Sequence, residues 1–384
     1  MKTHKPLTAF ITFSLLFSVV SVAQSSSYFK GYVSNLQSVW LPEFNNNMNI
    51  SGTAQNRFDF FYYPSDAFTL TLGLRNIIEY GYNVQSIPGY SDALTKDNGF
   101  IDLTKIWSNK NGYVLYSTID RLNLFFTDDY LEIQLGRQRI NWGVNLIWTP
   151  NDIFNSTSYL NFDYAEKRGS DALRAQYYFN SSSLEIVYKV DNLKNITSSV
   201  MYRINRWDYD FQIFAGIMED DYVLGGGWSG NITDANFSGE ITYFKNKTNF
   251  ADTTGQFVLS LGGTYTFLTD FYIHAEFLFN SAGTTGKANG SIFFLQNDYN
   301  AKNLSPAKYS FFGEVACQIT PLVKLDLNSV FNPSDFSYYI GPFASFSVSQ
   351  SMDMLLGGQF FFGERFTEWG DYGEFYFLRL QWNF

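Results

Sequence analysis

The feature that most constrains this chain is a hydrophobic alternation of period two, repeated from Tyr28 to the last residue. Phe257-Leu259-Leu261-Gly263-Tyr265-Phe267 and Phe271-Ile273-Ala275-Phe277-Phe279 are clear instances, as are Leu184-Ile186-Tyr188-Val190 and Tyr209-Phe211-Ile213-Ala215. Side chains two apart on a strand share a face, so each segment has one apolar side and one polar side. The charges Arg75, Glu185, Lys189, Asp210, His274, Glu276, Glu314, Lys324 and Asp326 fall on the polar parity. About eighteen such segments are found, each near the 9–11 residues that a tilted membrane strand needs. The connections alternate as well. Short turns at 64–66, 128–129, 180–182, 206–207, 268–270, 320–321 and 350–351 separate longer stretches at 81–111, 141–169, 281–307 and 365–371. The expectation is an all-β, antiparallel, up-and-down transmembrane barrel of about eighteen strands, with 14–18 as the range.

The closing segment carries the pattern to the chain end. Trp382, Leu380, Leu378 and Tyr376 share the apolar parity with Phe384, and Asn383, Gln381 and Arg379 fill the other. This strand resembles the last strand of bacterial outer-membrane β-barrels. The resemblance implies that Phe384, Trp382 and Leu380 form the signal read by the barrel-assembly machinery. With an even strand number and short periplasmic turns, both termini are expected on the periplasmic side.

Residues 1–23 are expected to be a signal peptide. Lys2, His4 and Lys5 precede an apolar run from Leu7 to Val20, and Ser21-Val22-Ala23 supplies small residues for cleavage. Residues 24–384 are then one barrel domain, exported to the outer membrane, with outer-membrane lipid as its surroundings. Aromatics are 20% of the chain and charged residues 16%, a balance suited to a surface that shows rings to a membrane interface. The mean hydropathy of −0.15 agrees, because lipid-facing and lumen-facing residues average out. A net charge of −10 leaves no basic stripe for nucleic acid. Cys317 is a lone cysteine, so disulfides and cysteine metal sites are ruled out and no cofactor or metal is expected.

The most unusual stretch is Gly136-Arg137-Gln138-Arg139-Ile140-Asn141-Trp142-Gly143, followed by Pro150-Asn151-Asp152-Ile153-Phe154-Asn155. It resembles a family of Gram-negative outer-membrane barrels related to alginate-export and other porin-like proteins. The resemblance covers residues 119–174 and implies a passive channel for small hydrophilic solutes, with the loop 141–169 folded inward as a constriction. Arg121, Arg137, Arg139, Lys167, Arg168 and Arg174 would form one side of that constriction, and Asp152, Asp163, Glu166 and Asp171 the other. The alternative is a salt-bridged network that pins the loop to the wall. The parity slips here, because Leu131, Ile133 and Leu135 share a face with Arg137 and Arg139. A bulge at Gly136 would turn the arginines inward; otherwise they lie above the bilayer.

Catalysis has little support. His274 is the one histidine of residues 24–384, and no Gly-x-Ser-x-Gly, His-Glu-x-x-His or phosphate-loop motif accompanies it. The rival readings are a structural or assembly barrel with a closed lumen and, less favoured, a hydrolase using His274. A homo-oligomer is compatible with the pattern.

Overall fold

The computed structural model describes residues 26–43, 47–160, 167–251, 254–268, 270–290 and 299–384. The expected signal segment lies outside them. Alternating sequences become strands β1 (Ser27–Leu41), β2 (Asn49–Ser65), β3 (Phe68–Gly81), β4 (Thr104–Lys110) and β5 (Tyr113–Thr127). The next five are β6 (Leu131–Gln138), β7 (Ser170–Phe179), β8 (Ser182–Val190), β9 (Ile196–Arg206) and β10 (Tyr209–Met218). They continue as β11 (Asp221–Ile232), β12 (Ala235–Asn246), β13 (Gln256–Thr266), β14 (Phe271–Asn280) and β15 (Tyr309–Thr320). The last are β16 (Val323–Asn332), β17 (Ser337–Ser349), β18 (Met352–Phe362) and β19 (Glu374–Asn383).

Neighbours pair antiparallel, and β19 returns to β1 over the register Tyr32↔Asn383 to Leu41↔Glu374. That pairing removes both sheet edges. β3 pairs directly with β5, so the ring has eighteen columns and β4 is additional to them. The stretch 81–111 is therefore more than a loop. It holds short helices at Tyr82–Ser86 and Tyr90–Thr95, then β4.

The outward face carries the predicted apolar parity. Leu224, Ile213, Phe257, Leu356 and Trp382 are all exposed. The inward face departs from expectation. Near the long-loop rim, Val187, Met201, Phe214, Phe244, Leu278 and Val330 point inward and are buried. The start of β1 and the end of β19 lie at the short-turn rim, where Phe384 exchanges two backbone hydrogen bonds of 2.9 Å with Gly31.

Candidate functional site

The wall has one seam, and the inward loop starts from it. β6 pairs with β5 only through Thr127↔Glu132 to Leu122↔Arg137. The upper edge of β5, Tyr113 to Thr118, is taken by β4. Residues 97–104 continue past the tops of β6 and β7 and bridge at Gly99 to Asp191, beyond β8. The wall is thus completed above β6 by an earlier segment, while the chain after Gln138 turns into the lumen.

Arg137 fastens the seam. Its guanidinium donates to Asp171 on β7 at 2.7 Å and to Asp97 at 2.7 Å. It also donates to the carbonyls of Ile119 and Ile101 at 3.1 and 2.6 Å. The two carbonyls belong to the segments flanking the break, whose backbone groups need partners. Residue 99 is glycine because a Cβ there would overlap the guanidinium. Gly136 has a φ of 115°, but the register runs unbroken through it to both neighbours. Hence no register shift turns Arg137 toward the lumen. It stays on the parity of Leu135, buried within the wall.

Inside the barrel, residues 140–160 form no regular structure, so their amides need acceptors from elsewhere. Wall carboxylates supply them. Glu276 on β14 accepts the N–H of Leu146 at 2.9 Å and those of Ile147 and Trp148 at 3.0 Å. Glu240 on β12 accepts those of Val144, Asn145 (2.6 Å) and Asn151 (2.9 Å). Glu185 on β8 accepts Trp142 Nε1 at 2.9 Å. Each carboxyl group thus gathers amides that have no partner within the loop. Ile140, Trp142, Trp148, Ile153 and Phe154 then pack into the inward apolar belt, with the Trp142 ring 5.3 Å from Phe214. Residues 140–160 are thus held inside the barrel by these apolar contacts as well as by the carboxyl groups.

Two other connections meet it. Leu304, from 299–307, and Trp369, from 363–373, join the same buried cluster. Glu368 is buried beneath them, accepting from the Ser305 hydroxyl at 2.8 Å. Burial pushes its carboxyl up to about 8.

The charged residues singled out in the sequence divide into separate sets. Arg137 and Asp171 belong to the seam. Arg174 pairs with Glu185 at 2.8 Å and lies 3.8 Å from Glu132. Arg121 donates to the carbonyls of Asp120 and Lys167 at 2.6 and 2.7 Å, holding the returning end of the loop. Arg168 reaches outward to the Lys96 carbonyl at 3.5 Å. Arg139, Lys167 and Asp152 do come together. Burial raises the Asp152 carboxyl to about 6, opposed by the Asn155 amide and by the charges of Arg139, Lys167 and Lys189. Lys167 is pushed down by burial and by Arg139. Arg139 Nε is buried and makes no hydrogen bond among the described residues. Asp163 and Glu166 lie outside the described residues.

Sequence reasoning passed over Glu240, Asp97 and the lumen pair Arg57–Asp120, where the guanidinium donates to both carboxylate oxygens at 2.8 and 3.0 Å. Glu240 stands on the same parity as Ser238 and Thr242, which was its one available signal. His274 is buried between Glu276 (2.9 Å) and Glu314 (3.2 Å), so both ring nitrogens face carboxylates. Among the described residues no cluster of histidine, cysteine and acidic side chains is arranged to hold a metal.

No protein-family model matches the chain, and no curated protein does. Solved structures do. OccAB3 of Acinetobacter baumannii aligns with a TM-score of 0.59 at 9% identity, covering 93% of this chain and 99% of that one. The outer membrane protein OprD of Pseudomonas aeruginosa aligns at 0.58 and 8%, covering 94% of each. OccD3 (OpdP) of the same organism aligns at 0.57 and 10%, covering 93% and 91%. At these identities the shared property is the fold, the closed antiparallel barrel of outer-membrane porins.

Proposed function

We propose that this chain is a porin-like channel of the outer membrane, passing small hydrophilic solutes by diffusion, with the loop 141–169 as its constriction. The observation that carries the reading is the tethering of 144–151 to Glu240 and Glu276. A loop leaving the wall between β6 and β7 is fixed at β12 and β14, well around the ring, and so narrows the lumen. The inner face of β2, β3 and β5 is polar, with Gln55, Arg57, Arg75 and Asn123, of which Gln55, Arg57 and Asn123 are buried; a polar wall of this kind suits hydrophilic solutes. In this reading the short-turn rim and both termini are periplasmic, and the barrel-assembly machinery recognises Phe384, Trp382 and Leu380. The outer-membrane location of the similar barrel OprD supports the placement.

One observation favours a second reading, a barrel with a closed lumen. Trp148, Trp369, Tyr339 and Phe361 are buried together where the inward loop meets the residues 363–373. Conductance decides between them. Refolded protein in a planar bilayer is expected to show discrete channels, and replacement of 145–160 by a short Gly-Ser linker is expected to raise their conductance. A folded barrel silent in both forms would leave the closed reading.

A further inference from the structure

His274 stands where the wall of the barrel meets the tip of the inward loop. It is buried on β14, with Thr264 opposite it on β13, Glu314 opposite it on β15, and the Phe312 ring 5.1 Å from its own. Its Nε2 lies 2.9 Å from Glu276 Oε1 and its Nδ1 lies 3.2 Å from Glu314 Oε2. The same Glu276 oxygen accepts the N–H groups of Leu146 and Ile147. One imidazole therefore touches the carboxylate that holds the loop and, through its other nitrogen, a second carboxylate on the next strand. A neutral imidazole has one N–H and one lone pair. Between two carboxylates it would donate to one and turn its lone pair on the other, whereas an imidazolium donates to both. The charges around the ring ask for the same form. Asp326 on β16 is hydrogen-bonded to Glu314, with the cation of Lys324 nearby. Tyr272, on the histidine's own strand, has its ring 6.3 Å away. From the loop, residues 146–148 present backbone N–H groups to Glu276, and Glu240 on β12 adds a further carboxyl on the far side of Glu276.

We propose that His274 is the positioning residue of the constriction: as an imidazolium it fixes Glu276 against the loop tip, and loss of its second proton releases that tip. The inference rests on the reading of 141–169 as a constriction. When the ring gives a proton to solvent, its remaining N–H serves one carboxylate only. If Glu314 keeps it, Glu276 meets a lone pair and turns away from the amides it holds. If Glu276 keeps it, Glu314 and Asp326 are left beside it without the cation that offset them. Either way the carboxylates repel one another in a site with little water to screen them. Residues 146–148 form no regular structure, so amides let go by Glu276 turn to water. A bistable tip of this kind couples the width of the passage to the charge of one side chain.

The test uses the full chain, refolded with 15N-labelled histidine. The sequence holds two histidines, His4 and His274, so His4→Gln leaves a single imidazole to observe by NMR. Where the loop is held, both nitrogens of that ring are expected to carry a proton. As the pH is raised, hydrogen exchange of amides 146–148, corrected for intrinsic rate, is expected to quicken about ten-fold at the pH where the second proton leaves. His274→Gln is expected to exchange fast at every pH, and His274→Lys, which keeps a charge, to return slow exchange. A role in packing alone would give no such match between the titration of the ring and the freedom of the loop. If the variants fail to fold, the titration of the His4→Gln chain decides by itself. An unprotonated Nδ1 while the tip is protected would put the proton on Glu314 and overturn the proposal. So would a tip whose exchange ignores the ring, or a His274→Gln tip as protected as wild type. A barrel silent in planar bilayers, yet with ring and tip coupled, would remove the channel reading and leave His274 its role, which separates the two failures.

Discussion

Glu276 Oε2 accepts the backbone N–H of Trp148 at 3.0 Å across 128 residues of sequence. With its other oxygen on Leu146 and Ile147, one carboxylate fixes the tip of the inward loop. Glu276→Gln or Glu240→Gln would present an NH2 group to amides that already donate. Unsatisfied buried donors cost about 1–3 kcal/mol each, enough to free the tip while the wall stays paired. Both variants are expected to gain protease cleavage between 141 and 160 and noisier single-channel current. A loop as resistant as wild type would mean that packing alone retains it.

Arg137 joins four groups at the seam, so its loss takes the guanidinium from two carboxylates, which keep only backbone N–H donors, and from two carbonyls. Breaking a buried ion pair from one side costs about 3–5 kcal/mol. Arg137→Leu is expected to lower the urea midpoint of the refolded barrel, and Arg137→Lys to recover little, because an ammonium cannot span the same fork. An unchanged midpoint would place the strength of the seam elsewhere.

Glu368 gives the connection 363–373 a pH dependence of definite sign. Its carboxyl is raised by burial from 4.5 to about 8. Between those values the folded form holds a proton that the unfolded form has released, so stability falls as pH rises through this window. Asp152, raised from 3.8 to about 6, acts in the same direction at lower pH. Hydrogen exchange in 363–373, corrected for intrinsic rate, is expected to be slower at pH 5.5 than at 8.5, and Glu368→Gln to flatten the difference. Equal protection at both pH values in the wild type would contradict this.

Deleting Phe384 removes both of the 2.9 Å bonds to Gly31 and the ring that lies 6.0 Å from Phe29. Assembled, heat-modifiable barrel is expected to be lost from the outer-membrane fraction. Wild-type amounts would show that β1 and β19 close without it.

The barrel was legible because β13 and β14 alternate over their whole length, and because the tail does so up to Phe384. For the stretch 140–160 the sequence offered Trp142, Trp148, Ile153 and Phe154, apolar side chains that are buried in the cluster inside the barrel. The inward apolar belt was not. Phe214 stands between Ile213 and Ala215, and Leu278 between Phe277 and Phe279. Where both parities are apolar, alternation carries no information about facing. The charges near the loop were assigned to two sides of a constriction through the resemblance, with a salt-bridged network as the alternative, and their partners lie far along the chain. Asp97 lies 40 residues before Arg137 and Glu185 11 after Arg174, partners that only the closed ring brings near. β4 was hidden for another reason: Lys105-Ile106-Trp107-Ser108 is short and its pairing is interrupted between Ile106 and Ser108.

That small strand has an effect out of proportion to its length. The hairpin β4–β5 closes through a two-residue turn and occupies the upper edge of β5. β6 is left with only the lower part of that edge and leaves the sheet at Gln138. The polypeptide is diverted into the interior by exclusion from the wall, and the carboxylates of the far side retain what the hairpin has displaced.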